Sequence, residues 1–154
     1  MMNLSSDVIK TLQCKTLATA ESCTGGGIGA ALTAVPGSSA VYKGGIISYT
    51  NAVKENLLGV SGEMLEKHGA VSEPVAQAMA EGARKQLQAD IAVSATGLAG
   101  PGGDEYGNPV GTVFIGYADA TRSYAKEFHF SGNREEVRNQ ATLVALQIIL
   151  EENK

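Results

Sequence analysis

The sequence has no tryptophan, two cysteines and two histidines. Cys14 and Cys23 are too few for a disulfide framework or a structural zinc site, and such sparing use suits a reducing compartment. An excess of positive charge is missing as well. Twelve basic side chains against 16 acidic ones leave a net charge of −4, which argues against a broad nucleic-acid footprint. A local basic patch for one phosphate is compatible with that balance. No apolar run reaches the length of a membrane span, and "MMNLSSDVIKTLQCK" lacks the charged-then-apolar design of a secretion signal. These absences imply a cytoplasmic protein with neither membrane nor nucleic acid among its partners. What is present suits a folded domain: 154 residues, 44% of them apolar, enough to bury one core. The expectation is a single domain over residues 1–154.

Helix-like and strand-like segments alternate. Ser6 or Asp7 can cap a short helix carrying Val8, Ile9 and Leu12, and Cys14 reads as core. Lys15–Ala20 reads as a short buried strand. Ile28, Leu32 and Val35 recur at helical spacing until Pro36-Gly37 ends that helix. Val41–Thr50, rich in Ile and Tyr, reads as a strand, and Asn51 can cap the turn after it. Ser61 can cap a short helix ending at His68-Gly69. Ser72-Glu73-Pro74 opens another, with Val75, Ala76, Met79, Ala80, Ala83 and Leu87 on its apolar face. Asp90–Thr96 is a strong buried strand. From Thr112 two strands follow, joined by a turn near Asp119–Arg122. The last helix, Arg134–Leu150, turns Val137, Ala141, Val144, Ala145 and Ile148 to one side. Helices alternating with strands, then a hairpin, predict a three-layer α/β/α sandwich with a mixed β-sheet.

The stretch "ESCTGGGIG" concentrates the chemistry. Four glycines fall among the six residues after Cys23, although glycine is a poor helix former. Ser22 follows a buried strand and precedes a helix, where open α/β folds gather ligands. Two readings are open. In one, Ser22 is a nucleophile, and free N–H groups of Thr24 to Gly27 hold an oxyanion or phosphate that Gly25, Gly26 and Gly27 admit closely. In the other, Ser22 caps the helix and the glycines permit tight helix–sheet packing. The stretch is neither a Walker phosphate loop nor Gly-x-Ser-x-Gly. Cys23 is a rival nucleophile, because a helix N-terminus lowers a thiol pKa; the alternative is a small buried hydrophobe.

A serine nucleophile needs a base. His68, just before Gly69, reads as a cation at a helix C-terminus. His129, in "EFHF", reads as an outer-face strand residue, so neither histidine suits a triad. "SYTNAVK" sets Tyr49 at a strand end and Lys54 one turn later. They can converge on one pocket, or be an amphipathic tyrosine and a solvated lysine. A lysine base must be neutral, which near pH 7 means lowering its pKa from roughly 10.4 by about 3 units. Thr96-Gly97 open a fifteen-residue loop, Gly97 to Gly111, with six glycines. That loop is an anion-binding concavity or a run of surface turns. Arg134 and Arg138 lie one turn apart near the start of the last helix, where cations oppose the dipole. Either an anionic partner or the neighbouring Glu135 and Glu136 offset them.

Six segments occur in one order: "AESCTGG", "VPGSSAVYKGGIISYTNAVKENLLGV", "HGAVSEPVAQAMAEGAR", "ATGLAGPGG", "PVGTVFIGYA" and "FSGNREEVRNQAT". Together they resemble the CinA C-terminal domain family, from about Thr11 to Leu150, in its stand-alone form. The resemblance implies an α/β/α fold, no metal, no cofactor, and a homo-oligomer, dimer or higher. It implies the reaction of the family's nicotinamide-nucleotide amidohydrolases. These hydrolyse the carboxamide of nicotinamide mononucleotide to nicotinate mononucleotide and ammonia. It makes Ser22 the nucleophile, Lys54 the general base and Tyr49 an aid to proton transfer. Thr96 would lie beside the amide, with Thr24, Gly25, Gly26 and Gly97 around the small-molecule nucleotide. Arg138, one position from the apolar face, is the first choice for the phosphate and Arg134 the second. Thr50, Val53 and Asn108 depart from the family pattern and leave the Ser/Tyr/Lys set intact. Two other functions fit these residues: a nucleotide- or partner-binding domain without turnover, and an amidase for a related amide.

Overall fold

The structure is a computed structural model describing residues 1–154. The chain runs α1 (Met2–Thr11), β1 (Leu17–Glu21), α2 (Gly27–Thr33), a 3₁₀ turn at Ser38–Ala40, β2 (Tyr42–Ile47), α3 (Asn51–Leu58) and α4 (Gly62–His68). It continues with α5 (Glu73–Gln86), β3 (Ile91–Gly97), β4 (Thr112–Ala118), β5 (Ser123–His129) and α6 (Arg134–Glu152).

The strand sequences decide the sheet. β1 and β4 are buried at every position and β3 at all but its last, so these strands need cover on both faces. They form the centre of one five-stranded sheet in the order β2-β1-β3-β4-β5. β1 runs parallel to both β2 and β3, whereas β4 is antiparallel to β3 and β5 to β4. Two apolar clusters fill the two faces. One joins Val8, Leu17, Ile28, Leu32, Ile115, Leu146 and Ile149, from α1, α2, α6 and the sheet. The other joins Ala18, Ala92, Leu58, Leu65, Val75 and Met79, from α3, α4, α5 and the opposite sheet face. The predicted three-layer α/β/α sandwich with a mixed sheet is what the chain forms. No helix is long and apolar enough to cross a membrane.

Some local expectations are corrected. α1 starts at Met2, so Ser6 and Asp7 lie inside it; burial of Ser5, Val8 and Ile9 sets the helix, not a cap. Cys14 is exposed beyond the helix end. Thr50 caps α3, its Oγ1 accepting from the Val53 N–H at 3.4 Å, and Asn51 is the first helical residue. Ser61 caps α4 as expected.

Because β1, β2 and β3 are parallel, their carboxyl ends lie on one side of the sheet. Ser22 and Ser48-Tyr49 follow the ends of β1 and β2 directly, and Thr96-Gly97 are the last two residues of β3. β1 is also where the strand order reverses, β2 lying on one side of it and β3 on the other. Such a switch point leaves a crevice above the sheet.

Close packing of α5 against α3 rests on Gly82, where an added Cβ would overlap the Leu58 carbonyl oxygen at the end of α3. Helix propensity alone makes Gly82→Ala stabilising by about 1 kcal/mol. The overlap reverses the sign: a net loss of about 1–3 kcal/mol is expected, read as a lower midpoint in thermal or urea denaturation.

Candidate active site

The crevice is a cavity of about 610 Å³. Ser22, Cys23, Tyr49, Asn51, Lys54, Thr96, Gly97 and Arg134 line it, together with Ala70, Val71 and the loop from Leu98 to Tyr106. Elements far apart in the chain thus bring Ser22, Lys54, Tyr49, Thr96, Gly97 and Arg134 to one place.

Lys54 is the unusual member. It sits in the first turn of α3, yet it is 1% exposed, its stem running inward rather than to solvent. Its Nζ is 3.1 Å from Ser22 Oγ and 2.7 Å from the Ser48 carbonyl oxygen. Burial lowers its pKa from 10.5 to about 8, because the charged amine loses its water. Ser22 is also buried, and its N–H donates to Ala95 O at 2.9 Å, extending the sheet pairing past β1. In the neutral form, Nζ can donate to Ser48 O while its lone pair accepts the Ser22 hydroxyl proton. Thr96, 1% exposed, donates its hydroxyl to Ala70 O at 2.9 Å and keeps lone pairs free.

The turn after Ser22 differs from the expectation. The helix starts at Gly27 and not directly after Ser22, so Gly26 holds the cap position. Gly25 N–H donates to Ser22 O and Gly27 N–H to Thr24 O. The next two N–H groups, of Ile28 and Gly29, donate to the buried Glu21 carboxylate at 2.8 and 3.0 Å. The free donors are therefore the N–H groups of Cys23, Thr24 and Gly26, which meet no acceptor in the chain. Gly25 and Gly26, at φ of +59° and +103°, make a turn that other residues enter only under strain. Their open sides face Arg138 and Ile47, and that of Gly27 faces Thr142. The glycines serve the turn and its packing, and Thr24, Gly25 and Gly26 do not line the cavity.

The arginines exchange places relative to the expectation. Arg138 Nε and Nη2 donate to the carbonyls of Cys23 and Thr24, bracing the turn from behind. It lines a separate groove with Thr24, Glu135 and Thr142. Arg134 reaches the cavity, donating to Gly100 O at 2.8 Å and to the Tyr49 hydroxyl at 3.2 Å. Tyr49 itself is at the rim, 60% exposed, with no hydrogen bond to Lys54 or Ser22.

The glycine loop forms the far wall. Asp104 accepts from the Asn108 side chain and from the N–H groups of Tyr106 and Asn108. Those donors hold its carboxyl below the usual range against a desolvation effect of opposite sign. Tyr106 donates to Glu66 O at 2.7 Å, and its ring covers Gly69, where a Cβ would lie 2.7 Å from it. Sequence reasoning missed Tyr106, Asn51 and Glu21. Only Glu21 left a signal, an acid inside a run of buried strand residues. Of the two histidines, His68 ends α4 and His129 is exposed on β5, bonded to Glu127.

Fold and site together define a class: an α/β/α protein with a serine hydroxyl on a buried lysine amine at the carboxyl ends of parallel strands. The family model of the CinA C-terminal domain matches residues 2–153, and the chain belongs to that family. A CinA-like protein of Parasynechococcus marenigrum is 51% identical over 148 residues, covering 94% of this chain and 35% of that protein. One of Mycolicibacterium paratuberculosis is 48% identical, covering 92% of this chain and 34% of that protein. The chain thus spans about a third of the length of these relatives. The crystal structure of competence damage-inducible protein A from Klebsiella pneumoniae superposes with a TM-score of 0.95 at 37% identity, covering 98% of this chain and 95% of that one. A competence/damage inducible protein of Agrobacterium tumefaciens gives 0.96 at 38%, with 99% and 95% covered.

Cys23 lines the cavity, but its thiol is pushed up to about 12, first by burial. Its thiolate fraction at pH 8 is on the order of 10⁻⁴. In a thiol titration at that pH, the folded protein is expected to expose one reactive group, Cys14. The second is expected only after denaturation; two groups reacting at comparable rates in the folded state would contradict the assignment.

Proposed function

We propose that the chain is an amidohydrolase that cleaves the carboxamide of a nicotinamide mononucleotide-type substrate. The observation that carries this is the 3.1 Å contact between Ser22 Oγ and the buried amine of Lys54. Its lowered pKa suits a base rather than a surface cation.

In the scheme, neutral Lys54 takes the Ser22 proton as Oγ bonds to the carboxamide carbon. The carbonyl oxygen becomes an oxyanion, and the unengaged N–H group of Cys23, the one of the three free donors whose residue lines the cavity, is its donor. The Lys54 ammonium then passes its proton to the amide nitrogen, the C–N bond breaks, and ammonia leaves. Water, deprotonated by Lys54, attacks the acyl-serine and restores Ser22. Thr96 orients the amide from the carboxyl end of the neighbouring strand β3. Arg134, at the cavity wall, supplies the positive charge for the phosphate and replaces Arg138 in that role. Arg138 is committed to the turn. Tyr49 acts through Arg134 at the rim rather than in proton transfer. Binding energy from the phosphate then orients the amide. No step is assigned to a metal or cofactor.

Ammonia release from nicotinamide mononucleotide is the direct test. Ser22→Ala is expected to lower kcat by on the order of 10³-fold or more. Release by that variant at the wild-type rate would remove Ser22 as nucleophile. Thermal stabilisation of the wild type by the nucleotide without ammonia would instead make the chain a binding domain.

The pH dependence has a definite sign. Lys54 must be neutral, so kcat/KM is expected to rise with pH and level off above an apparent pKa of about 8. At pH 7 roughly one molecule in ten carries the neutral amine. A rate independent of pH between 6 and 9 would remove Lys54 as the base.

A further inference from the structure

Glu21 immediately precedes Ser22, and the reaction scheme gives it no role. Its side chain is 2% exposed and pairs with no cation. A buried carboxylate costs several kcal/mol unless its lone pairs are filled. Here four donors fill them. Thr24 Oγ1 and the Ile28 N–H donate to Oε1 at 2.7 and 2.8 Å. The Gly29 N–H and Thr19 Oγ1 donate to Oε2 at 3.0 and 3.2 Å. One side chain thus spans the whole Ser22–Gly26 turn, from the strand before it to the helix after it.

Other parts of the fold make room for this arrangement. A Cβ at Gly29 would lie 2.6 Å from the Tyr42 hydroxyl, which itself lies 2.7 Å from Thr19 Oγ1. A Cβ at Gly45 would overlap Thr19 Oγ1. Capping a helix needs none of this. α4 and α6 are capped by the adjacent side chains of Ser61 and Asn133, whereas the residue before α2, Gly26, has none. The cap for α2 comes instead from the strand residue bonded to Ser22.

We propose that Glu21 is a positioning residue, an inference that rests on the amidohydrolase reading of the site. By binding Thr24, Ile28 and Gly29 it fixes the turn. Ser22 Oγ then stays on Lys54, and the Cys23 N–H stays free for the oxyanion. Both features matter in the transition state more than in the bound substrate, so the effect falls on kcat. A displacement of about 1 Å at such a site costs roughly 10²-fold. Glu21→Gln tests this directly. Whichever end its amide nitrogen takes, it faces a backbone N–H, that of Ile28 or of Gly29.

The experiment measures ammonia release from nicotinamide mononucleotide by variants whose folding is checked by circular dichroism. Glu21→Gln is expected to lower kcat about 10²-fold with KM within about twofold. The rise of kcat/KM with pH, levelling off above about 8, is expected to stay in place, since Glu21 does not touch Lys54. Thr24→Val, which removes one donor and leaves the backbone contacts, is expected to lower kcat about tenfold. The double variant is expected to be no slower than Glu21→Gln alone, because both act through one network. A wild type that releases no ammonia overturns the amidohydrolase reading and this inference with it. An active wild type with Glu21→Gln unchanged in kcat, or changed in KM or melting temperature alone, overturns the positioning role only. If Glu21→Gln does not fold, Thr24→Val decides, and an unchanged kcat overturns the role.

Discussion

The burial of one amine organises this site. Moving the pKa of Lys54 from 10.5 to about 8 corresponds to roughly 3 kcal/mol disfavouring its charge. The fold accepts that cost because Nζ has defined partners, Ser22 Oγ and Ser48 O, each from the end of a different strand. The lysine stem therefore ties α3 to the carboxyl ends of β1 and β2. Remove the parallel pairing of those strands and the two oxygens no longer share one amine.

Around this contact the backbone is held from three directions. Glu21 holds the turn after Ser22 from the β1 side. Arg138 holds the same turn from α6 through the Cys23 and Thr24 carbonyls. Arg134 reaches over the crevice to Gly100 and Tyr49, linking the glycine loop to the end of β2. The two arginines look equivalent in sequence, one turn apart on one helix. A single helical turn separates bracing the turn from lining the cavity.

The glycine loop is shaped by side chains rather than left as open turns. Asp104 gathers Tyr106 and Asn108, Asn108 reaches Val71, and Tyr106 docks on the last turn of α4. Asn108 thus helps to close the far wall, through Asp104 on one side and Val71 on the other.

Periodicity and capping chemistry determined much of this protein. Helix-like and strand-like segments in alternation pointed to a sheet covered on both faces, and the hairpin after Thr112 to an antiparallel edge. Local signals also marked Ser22 and Thr96-Gly97, which stand at strand ends; Lys54, within the first turn of α3, stood out through the family resemblance. What the sequence could not decide depends on contacts between distant segments. Whether Lys54 is solvated or buried depends on the space left beneath α3 by β1 and β2. Which N–H groups are free after Ser22 depends on Glu21 folding back onto a helix seven and eight residues ahead. Which arginine faces the cavity depends on how α6 is rotated against the sheet, where its buried face is broad. Local sequence sets backbone preference and amphipathic faces; only tertiary packing sets the burial of a charge and the partner of each donor, and in this site those two quantities carry the chemistry.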